Sequence, residues 1–408
     1  MKKVTTFSCI GLGGRSCVYL NALKENYSDS FKLVAIAEPD AEKRQRFAKQ
    51  FNVPSENVFC TDLEFLQRER MSDVAIVGTQ DRLHYREVTE LIKKGYSIVL
   101  EKPIATEPEE VEEIYRLSKQ YDSFIAVCHV LRHTKFFNTL KQIVDSGKLG
   151  KVVSIAHNEN VGYYHFAHSY VRGSWRNSKE SAPVIVAKSC HDMDILLYLL
   201  GNARPLKISS FGSLSHFTGK NFCPETMSPR CVDCSLKDTC AYSAVRIYGG
   251  RKIKSVVFAQ DSIQQINAQL ETSPYGRCVY CCDNDVCDHQ ATAILFENGV
   301  TATFNLSAFT AKVNRSIKIM CEFGEIRGIE KPYIIEYTDF RTDQTVQIPL
   351  DIQEGGHGGG DAGFVKDLME SLQNGKPFSS DLEESVMSHR MAFAAEQSRL
   401  TGKVVDIK

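Results

Sequence analysis

Lys102 follows the run Tyr96-Ser97-Ile98-Val99-Leu100-Glu101 and precedes Pro103. A lysine where a strand ends, partly withdrawn from water, can hydrogen-bond a substrate hydroxyl and assist its deprotonation. The proline beside it fixes the backbone at that exit. Further along, Lys188, His191 and Asp192 fall within one turn of a predicted helix, opposite an apolar face of Met193, Leu196, Leu197 and Leu200. Three titratable groups on one face form an acid–base arrangement. His191 is the expected base, because imidazole exchanges protons near neutral pH, and Lys188 is a hydroxyl ligand or an alternative acid. Between these sites runs Tyr163 to Arg176, rich in rings and histidines. Tyr164, His165, His168, Arg172 and Trp175, with Asp192, are the candidate substrate ligands. Flat rings stack on apolar C–H faces and polar tips take hydroxyls, a combination suited to sugars.

A phosphate site is expected near the start of the chain. Cys9-Ile10-Gly11-Leu12-Gly13-Gly14-Arg15-Ser16 leaves a short β-rich strand and enters a helix. Gly11 and Gly13 let the backbone approach a pyrophosphate, and Gly14 opens a helix whose N-terminus attracts negative charge. The third glycine follows the second directly, whereas the common dinucleotide fingerprint places it three residues later. Support comes from the next strand, Phe31 to Ala37, which ends in Glu38, a carboxylate placed for ribose hydroxyls. It would repel a ribose phosphate, so NAD is expected over NADP, with Arg15 and Arg44 keeping NADP as the alternative.

These residues need a scaffold, and the pattern of the chain supplies one. From residue 1 to about 126 strands alternate with helices, which predicts a doubly wound parallel sheet whose ligands lie outside the carboxyl ends of its strands. Gly11, Glu38, Thr79 and Lys102 all fall at such ends. The motifs Gly11-x-Gly13-Gly14-Arg15, Thr79-x-x-x-x-His84 and Glu101-Lys102-Pro103 resemble those of the Gfo/Idh/MocA family, that of glucose-fructose oxidoreductase and inositol dehydrogenase. The resemblance implies an α/β protein with an N-terminal Rossmann domain, residues 1–126, and a C-terminal α/β domain, residues 127–408, built on a large, mostly antiparallel sheet. It implies that the nicotinamide lies between the two, with Lys102 beside the reacting carbon. It adds Arg15, Thr79, His84, Glu101 and Lys102 to the cofactor residues, and it makes His191, with Asp194 three residues on, the general acid/base. The family often carries an aspartate four residues before that histidine, where this chain has Ala187.

Residues 217–290 read as an insertion rich in cysteine and turn residues. Cys223, Cys231, Cys234 and Cys240 are soft ligands in a segment with little apolar content to hold it, which points to a structural zinc site; an iron–sulfur cluster uses the same ligands and is the alternative. A second group, Cys278, Cys281, Cys282, Cys287 and His289, reads as buried thiols. Strands then resume, and a glycine-rich run from Gly355 to Asp361 leads toward the last two helices, of which 382–400 is expected to pack on the first domain.

Among 408 residues, 49 lysines and arginines face 50 acids, so no global field draws the protein to nucleic acid or a membrane surface. No apolar run approaches a membrane span, and Met1-Lys2-Lys3 leads straight into a strand, so the cytosol is the expected compartment. The expected partners are a small carbohydrate and further copies of the chain, the resemblance implying a homodimer or tetramer. The expected activity is hydride transfer between a sugar, cyclitol or glycoside carbon and NAD(P). Two alternatives also follow from the family: a glycosidase that retains NAD and works by transient oxidation, and a non-catalytic sensor of dinucleotide or sugar.

Overall fold

The computed structural model describes residues 4–250, 253, 262–350 and 356–407. The first three residues, ten positions of the expected insertion (251, 252 and 254–261) and Gly355 lie outside them. The chain forms two compact units: Met1–Lys148 with Cys190–Ala203 and Ile348–Ala392, and Leu149–Ser189 with Arg204–Gln347 and Phe393–Lys408.

The first unit is built on β1 (Thr5–Ile10), β2 (Phe31–Ala37), β3 (Val58–Phe59), β4 (Val74–Val77), β5 (Ser97–Leu100) and β6 (Ile125–Val127). They lie in the order β3-β2-β1-β4-β5-β6, all pairs parallel. Helices cover both faces of such a sheet, so its strands run largely apolar rather than alternating. β4 is accordingly buried at every residue. The sheet order reverses direction between β1 and β4, and a doubly wound sheet binds its ligand at that crevice. The core also takes in Phe364, Val365, Leu368 and Met369 of the helix Gly360–Asn374.

The second unit carries β7 (Val152–Asn160), β8 (Pro205–Ser213), β9 (His289–Phe296), β10 (Thr301–Ser307), β11 (Asn314–Cys321), β12 (Gly324–Ile329), β13 (Ile334–Asp339), β14 (Gln344–Ile348) and β15 (Val405–Asp406). Their order is β14-β13-β12-β11-β7-β10-β9-β8-β15, with β7 and β10 parallel and the pairings β8–β9, β9–β10 and β11–β12 antiparallel. One face is packed, so the residues of β9 and β10 alternate strictly between exposed and buried until Ser307. The expected Rossmann sheet and mostly antiparallel second sheet are both present.

Candidate active site

The glycine turn is shaped to receive an anion. Gly11 takes φ +82°, and a Cβ there would stand 2.7 Å from the Gly78 carbonyl oxygen. The helix Gly14–Asn26 begins at Gly13 with no side-chain cap and no acid in its first turn, and a Cβ on Gly14 would meet nothing within 4 Å. Its first N–H groups and the positive end of its dipole are thus left for a phosphate. Glu38 is buried at the end of β2, where its carboxylate accepts from Leu12 N (2.7 Å) and Asp40 N (3.1 Å). Thr79 Oγ1 donates to Glu87 (2.5 Å), whose carboxyl is pushed up to about 8 by burial. Arg15 is held by two carboxylates, with Nε 3.2 Å from Glu101 and Nη2 2.6 Å from Asp361. That pairing raises its pKa further against the cost of burial. The arginine expected at the cofactor therefore braces the helix that opens the turn.

The segment around Lys102 is pinned from several directions. The Glu101 carboxylate accepts from Tyr19 Oη (2.6 Å) and from Lys102 N (3.2 Å). His84 Nδ1 donates to the Pro103 carbonyl (2.7 Å), and Ile104 N donates to His389 Nε2 (3.0 Å). His84 Nε2 is buried with no hydrogen-bond partner among the described residues. Burial pushes His129 and His389 down and the Cys190 thiol up to about 12; the Lys102 ammonium adds to the first two effects and opposes the third.

His191 stands on the helix Cys190–Leu199, almost wholly buried, with its Nδ1 3.4 Å from His129 Nδ1. One turn on, Asp194 takes the Arg132 guanidinium on both oxygens, each at 2.8 Å. Arg132 also holds the Ser379 carbonyl (2.8 Å) and Glu384. Removing one partner of such a buried pair is costly, because it leaves the other charge uncompensated. His129 and Arg132 follow β6, so the carboxyl end of a further parallel strand feeds the same cluster. Strand-end position, the criterion that picked Lys102, would have found them too.

Lys188 departs from its expected place. The predicted single helix is two, Val184–Ala187 and Cys190–Leu199, and Lys188 and Ser189 form the turn between them. Lys188 therefore does not share a helical face with His191; its Nζ lies 3.1 Å from Glu159 of β7, a carboxylate that also takes Arg315 (2.6 Å). Asp192, on the second of these helices, is fully buried.

The ring-rich segment belongs to the second unit. It folds as a turn of helix, Tyr163–Phe166, followed by a π-helical stretch Ala167–Arg172. His165 is depressed to about 3 by burial and the nearby Lys188 charge. His168 is depressed to about 4 by burial, stacks on Tyr275 at 4.9 Å and bonds Tyr248 Oη at 2.9 Å. Tyr164 packs edge-on against Tyr163 (5.4 Å), and Trp175, 37% exposed, tilts against Tyr170 (6.4 Å). Arg172 is different from the expectation. Its Nε donates to the Arg277 carbonyl and its Nη2 to the Tyr242 carbonyl, both at 2.7 Å, so it ties down the cysteine-rich segment.

Among the described residues the expected zinc site is not assembled. Phe217 stacks between Phe166 (5.5 Å) and Phe309 (5.8 Å), and Arg230 donates to the Leu270 and Ser273 carbonyls. Rings, the buried Arg172 and the half-buried Arg230 hold the segment where a metal was expected to. The Cys223 thiol donates to Glu225, while Cys231, Cys234 and Cys240 line a small pocket with Cys278. Among the described residues no group of histidine, cysteine, aspartate or glutamate is arranged to hold a metal ion, and the same finding leaves the iron–sulfur alternative unsupported.

A doubly wound sheet, an uncapped glycine turn at its switch point and a lysine–histidine cluster at its strand ends define an NAD-binding oxidoreductase. Residues 6–129 match the profile described as an oxidoreductase family with an NAD-binding Rossmann fold, and residues 141–219 match the profile of that family's C-terminal alpha/beta domain. The chain belongs to the Gfo/Idh/MocA family. It is 23% identical to the YteT protein of Bacillus subtilis over 88% of this chain and 87% of that one. Its fold matches an oxidoreductase from Agrobacterium radiobacter, solved with NAD+, L-tartaric acid and magnesium, with a TM-score of 0.70 at 15% identity over 99% and 98% of the two chains. It also matches the WlbA dehydrogenase from Bordetella pertussis, solved with NADH and UDP-GlcNAcA, with a TM-score of 0.67 at 15% identity over 100% and 98%. No described helix is long and apolar enough to cross a membrane.

Proposed function

We propose that the protein oxidises or reduces one hydroxyl-bearing carbon of a sugar, cyclitol or glycoside. The observation that carries this reading is the pinned Lys102 segment beside the buried His129–His191 pair. Gly11, Gly13 and Gly14 would take the pyrophosphate, and Glu38, Thr79, His84 and Glu101 would line the rest of the cofactor. Glu38 favours NAD over NADP, because a ribose phosphate would meet a buried carboxylate. Bound nicotinamide supplies the hydride acceptor or donor.

In the oxidising direction the chain's own residues handle the oxygen and its proton. Lys102 Nζ donates to the substrate hydroxyl oxygen and stabilises negative charge as the O–H bond breaks. His191 takes that proton, and the carbon–oxygen single bond becomes a carbonyl as the carbon gives up its hydride. Reduction returns the same proton from His191. Tyr164, His165, His168 and Trp175 are the sugar-recognising residues in this reading. Lys188 serves them as a positioning residue through Glu159 and its charge on His165. The WlbA structure holds UDP-GlcNAcA and the Agrobacterium structure L-tartaric acid, which supports a carbohydrate or related hydroxy acid as substrate.

A homodimer or tetramer in the cytosol completes the proposal. Ile329 and Ile334 are cross-strand partners on β12 and β13 and stay 40% and 42% exposed, an apolar pair suited to burial against another copy. Light scattering that returned only the monomer mass would remove this part.

The deciding experiment incubates purified protein with NAD or NADP and a panel of sugars, cyclitols and glycosides, recording reduced cofactor and released products together. Net NADH from one substrate is the expected result. Product release without net NADH would point instead to redox-assisted glycoside cleavage, and cofactor binding without turnover on any substrate would point to a sensor.

A further inference from the structure

His191 has two ring nitrogens, and the one that carries hydrogen decides whether the other can receive a proton from a substrate. Counting donors behind His191 identifies it. Ile104 N–H points at His389 Nε2 (3.0 Å), so that nitrogen accepts, and His389 Nδ1–H donates to the Ser385 carbonyl (2.7 Å). Ser388 Oγ gives its own hydrogen to the same carbonyl (2.7 Å), which can only accept. The Ser388 oxygen is thereby left as an acceptor, and it lies 3.5 Å from His129 Nε2. Asp194 Oδ1, an acceptor already engaged by the Arg132 fork, lies 3.9 Å from that nitrogen. With acceptors on both sides, His129 carries its hydrogen on Nε2, and its Nδ1 presents a lone pair. That lone pair faces His191 Nδ1 at 3.4 Å. One hydrogen fits between two ring nitrogens, and here it must come from His191.

We propose that His129 is the positioning residue of His191, holding it as the Nδ1–H tautomer so that Nε2 is the nitrogen that takes and returns the substrate proton. The inference rests on the reading of His191 as the acid–base group. His129 suits the task because it stays neutral: burial and the charges of Arg132, Lys102 and His133 push its pKa well below the ordinary histidine value. A protonated His129 would present two donors and break the contact. His389, pushed down to about 3 chiefly by burial, is likewise neutral, and Asp194 faces His129 with its charge shared with Arg132. Alanine at 187 leaves no carboxylate four residues ahead of His191, and the imidazole on the loop after β6 supplies the orienting acceptor instead.

The test uses full-length protein labelled with ¹⁵N-histidine, its His191 signals identified by their loss in His191→Gln. The expected spectrum at pH 7.5 shows His191 Nδ1 protonated and Nε2 unprotonated; the reverse assignment overturns the proposal. Kinetics on the substrate found by the panel give a second readout. His129→Leu should lower kcat about 100-fold with KM nearly unchanged. His129→Asn, whose side-chain oxygen replaces the Nδ1 lone pair, should recover about tenfold of that loss. Equal damage by both substitutions, or wild-type kcat in His129→Leu, overturns the proposal. Should His129→Leu fail to fold, the wild-type spectrum decides. Wild-type turnover in His191→Gln would instead defeat the reading of His191, while the tautomer seen by NMR would stand, so the two failures are distinguishable.

Discussion

In the first unit His129 packs against His191 and His389 with ring centroids 5.5 and 5.9 Å apart; in the second, His165 and His168 stand 6.5 Å apart among Tyr170, Tyr248 and Tyr275. Burial lowers the pKa of His129, His389, His165 and His168 alike. What differs is the company. The first cluster is wired nitrogen by nitrogen to Ser388, Ser385 and Ile104 beside a fully paired arginine–aspartate bridge. The second is bounded by ring faces, with an imidazole–phenol bond at His168. Wired histidines hold a defined tautomer and can move protons; histidines against rings shape a surface. The same residue type thus serves chemistry in one unit and, in our reading, recognition in the other.

The sharpest break of this contrast is at Arg132. Arg132→Met should cost about 3–5 kcal/mol of stability, because it leaves Asp194 as a buried, uncompensated carboxylate. Urea denaturation measures it. A loss below about 1 kcal/mol would mean that the wiring of the first cluster carries little energy.

Next in size is the chemistry itself. Lys102→Ala should lower kcat about 1,000-fold while leaving dinucleotide binding within a few-fold, measured by turnover and by fluorescence of bound NADH. Unchanged turnover on every active substrate would remove Lys102 from the reaction.

The sequence made much of the first unit readable and little of the wiring. Buried parallel strands announce themselves as apolar runs, and the side chains at their ends, Gly11, Glu38, Thr79 and Lys102, could be picked by position. His129 and Arg132 end such a run too but carry no motif, and their partners Asp194, Glu384 and His389 lie 62 to 260 residues away, where periodicity is silent. The helix break at Lys188 escaped because the run Val184 to Leu200 is apolar enough to read as one helix, and no glycine or proline marks the turn within it. The cysteine spacing suggested metal because a turn-rich segment looked unable to hold itself. Arg172 and the Phe166–Phe217–Phe309 stack, outside or at the edge of that segment, do the holding.

Acid should separate the two units. A histidine with a depressed folded pKa takes up its proton first in the unfolded chain, so stability falls as pH drops below about 6.5, by about 1.4 kcal/mol per pH unit per group, until the folded pKa is reached. His165 and His168, with folded values of about 3 and about 4, act this way in the second unit. In the first, His129, His133 and His389 do the same, but Glu87, Asp194 and Glu384 oppose them. Those carboxyls have raised folded values, so the native state binds their protons first and gains stability on acidification. Between pH 6.5 and 4.5 the second unit should therefore lose amide protection with no raised carboxyl to offset it among these groups, while Glu87, at about 8, offsets part of the loss in the first, measured by hydrogen exchange corrected for its intrinsic pH dependence. Unchanged protection of the second unit across that range would show that His165 and His168 do not stay neutral in the folded chain.

The smallest effect tests the second cluster as a recognition surface. His165→Ala removes a neutral ring bounded by His168 and Tyr170 and influenced by the Lys188 charge. A residue that only shapes a binding surface contributes equally to ground state and transition state, so its loss should raise KM about tenfold at nearly constant kcat. His129→Leu is expected to do the opposite, and the two substitutions measured on one substrate form the direct comparison. A fall in kcat for His165→Ala as large as that for His129→Leu would mean that proton handling extends to His165, and that burial among rings does not confine a histidine of this protein to shape alone.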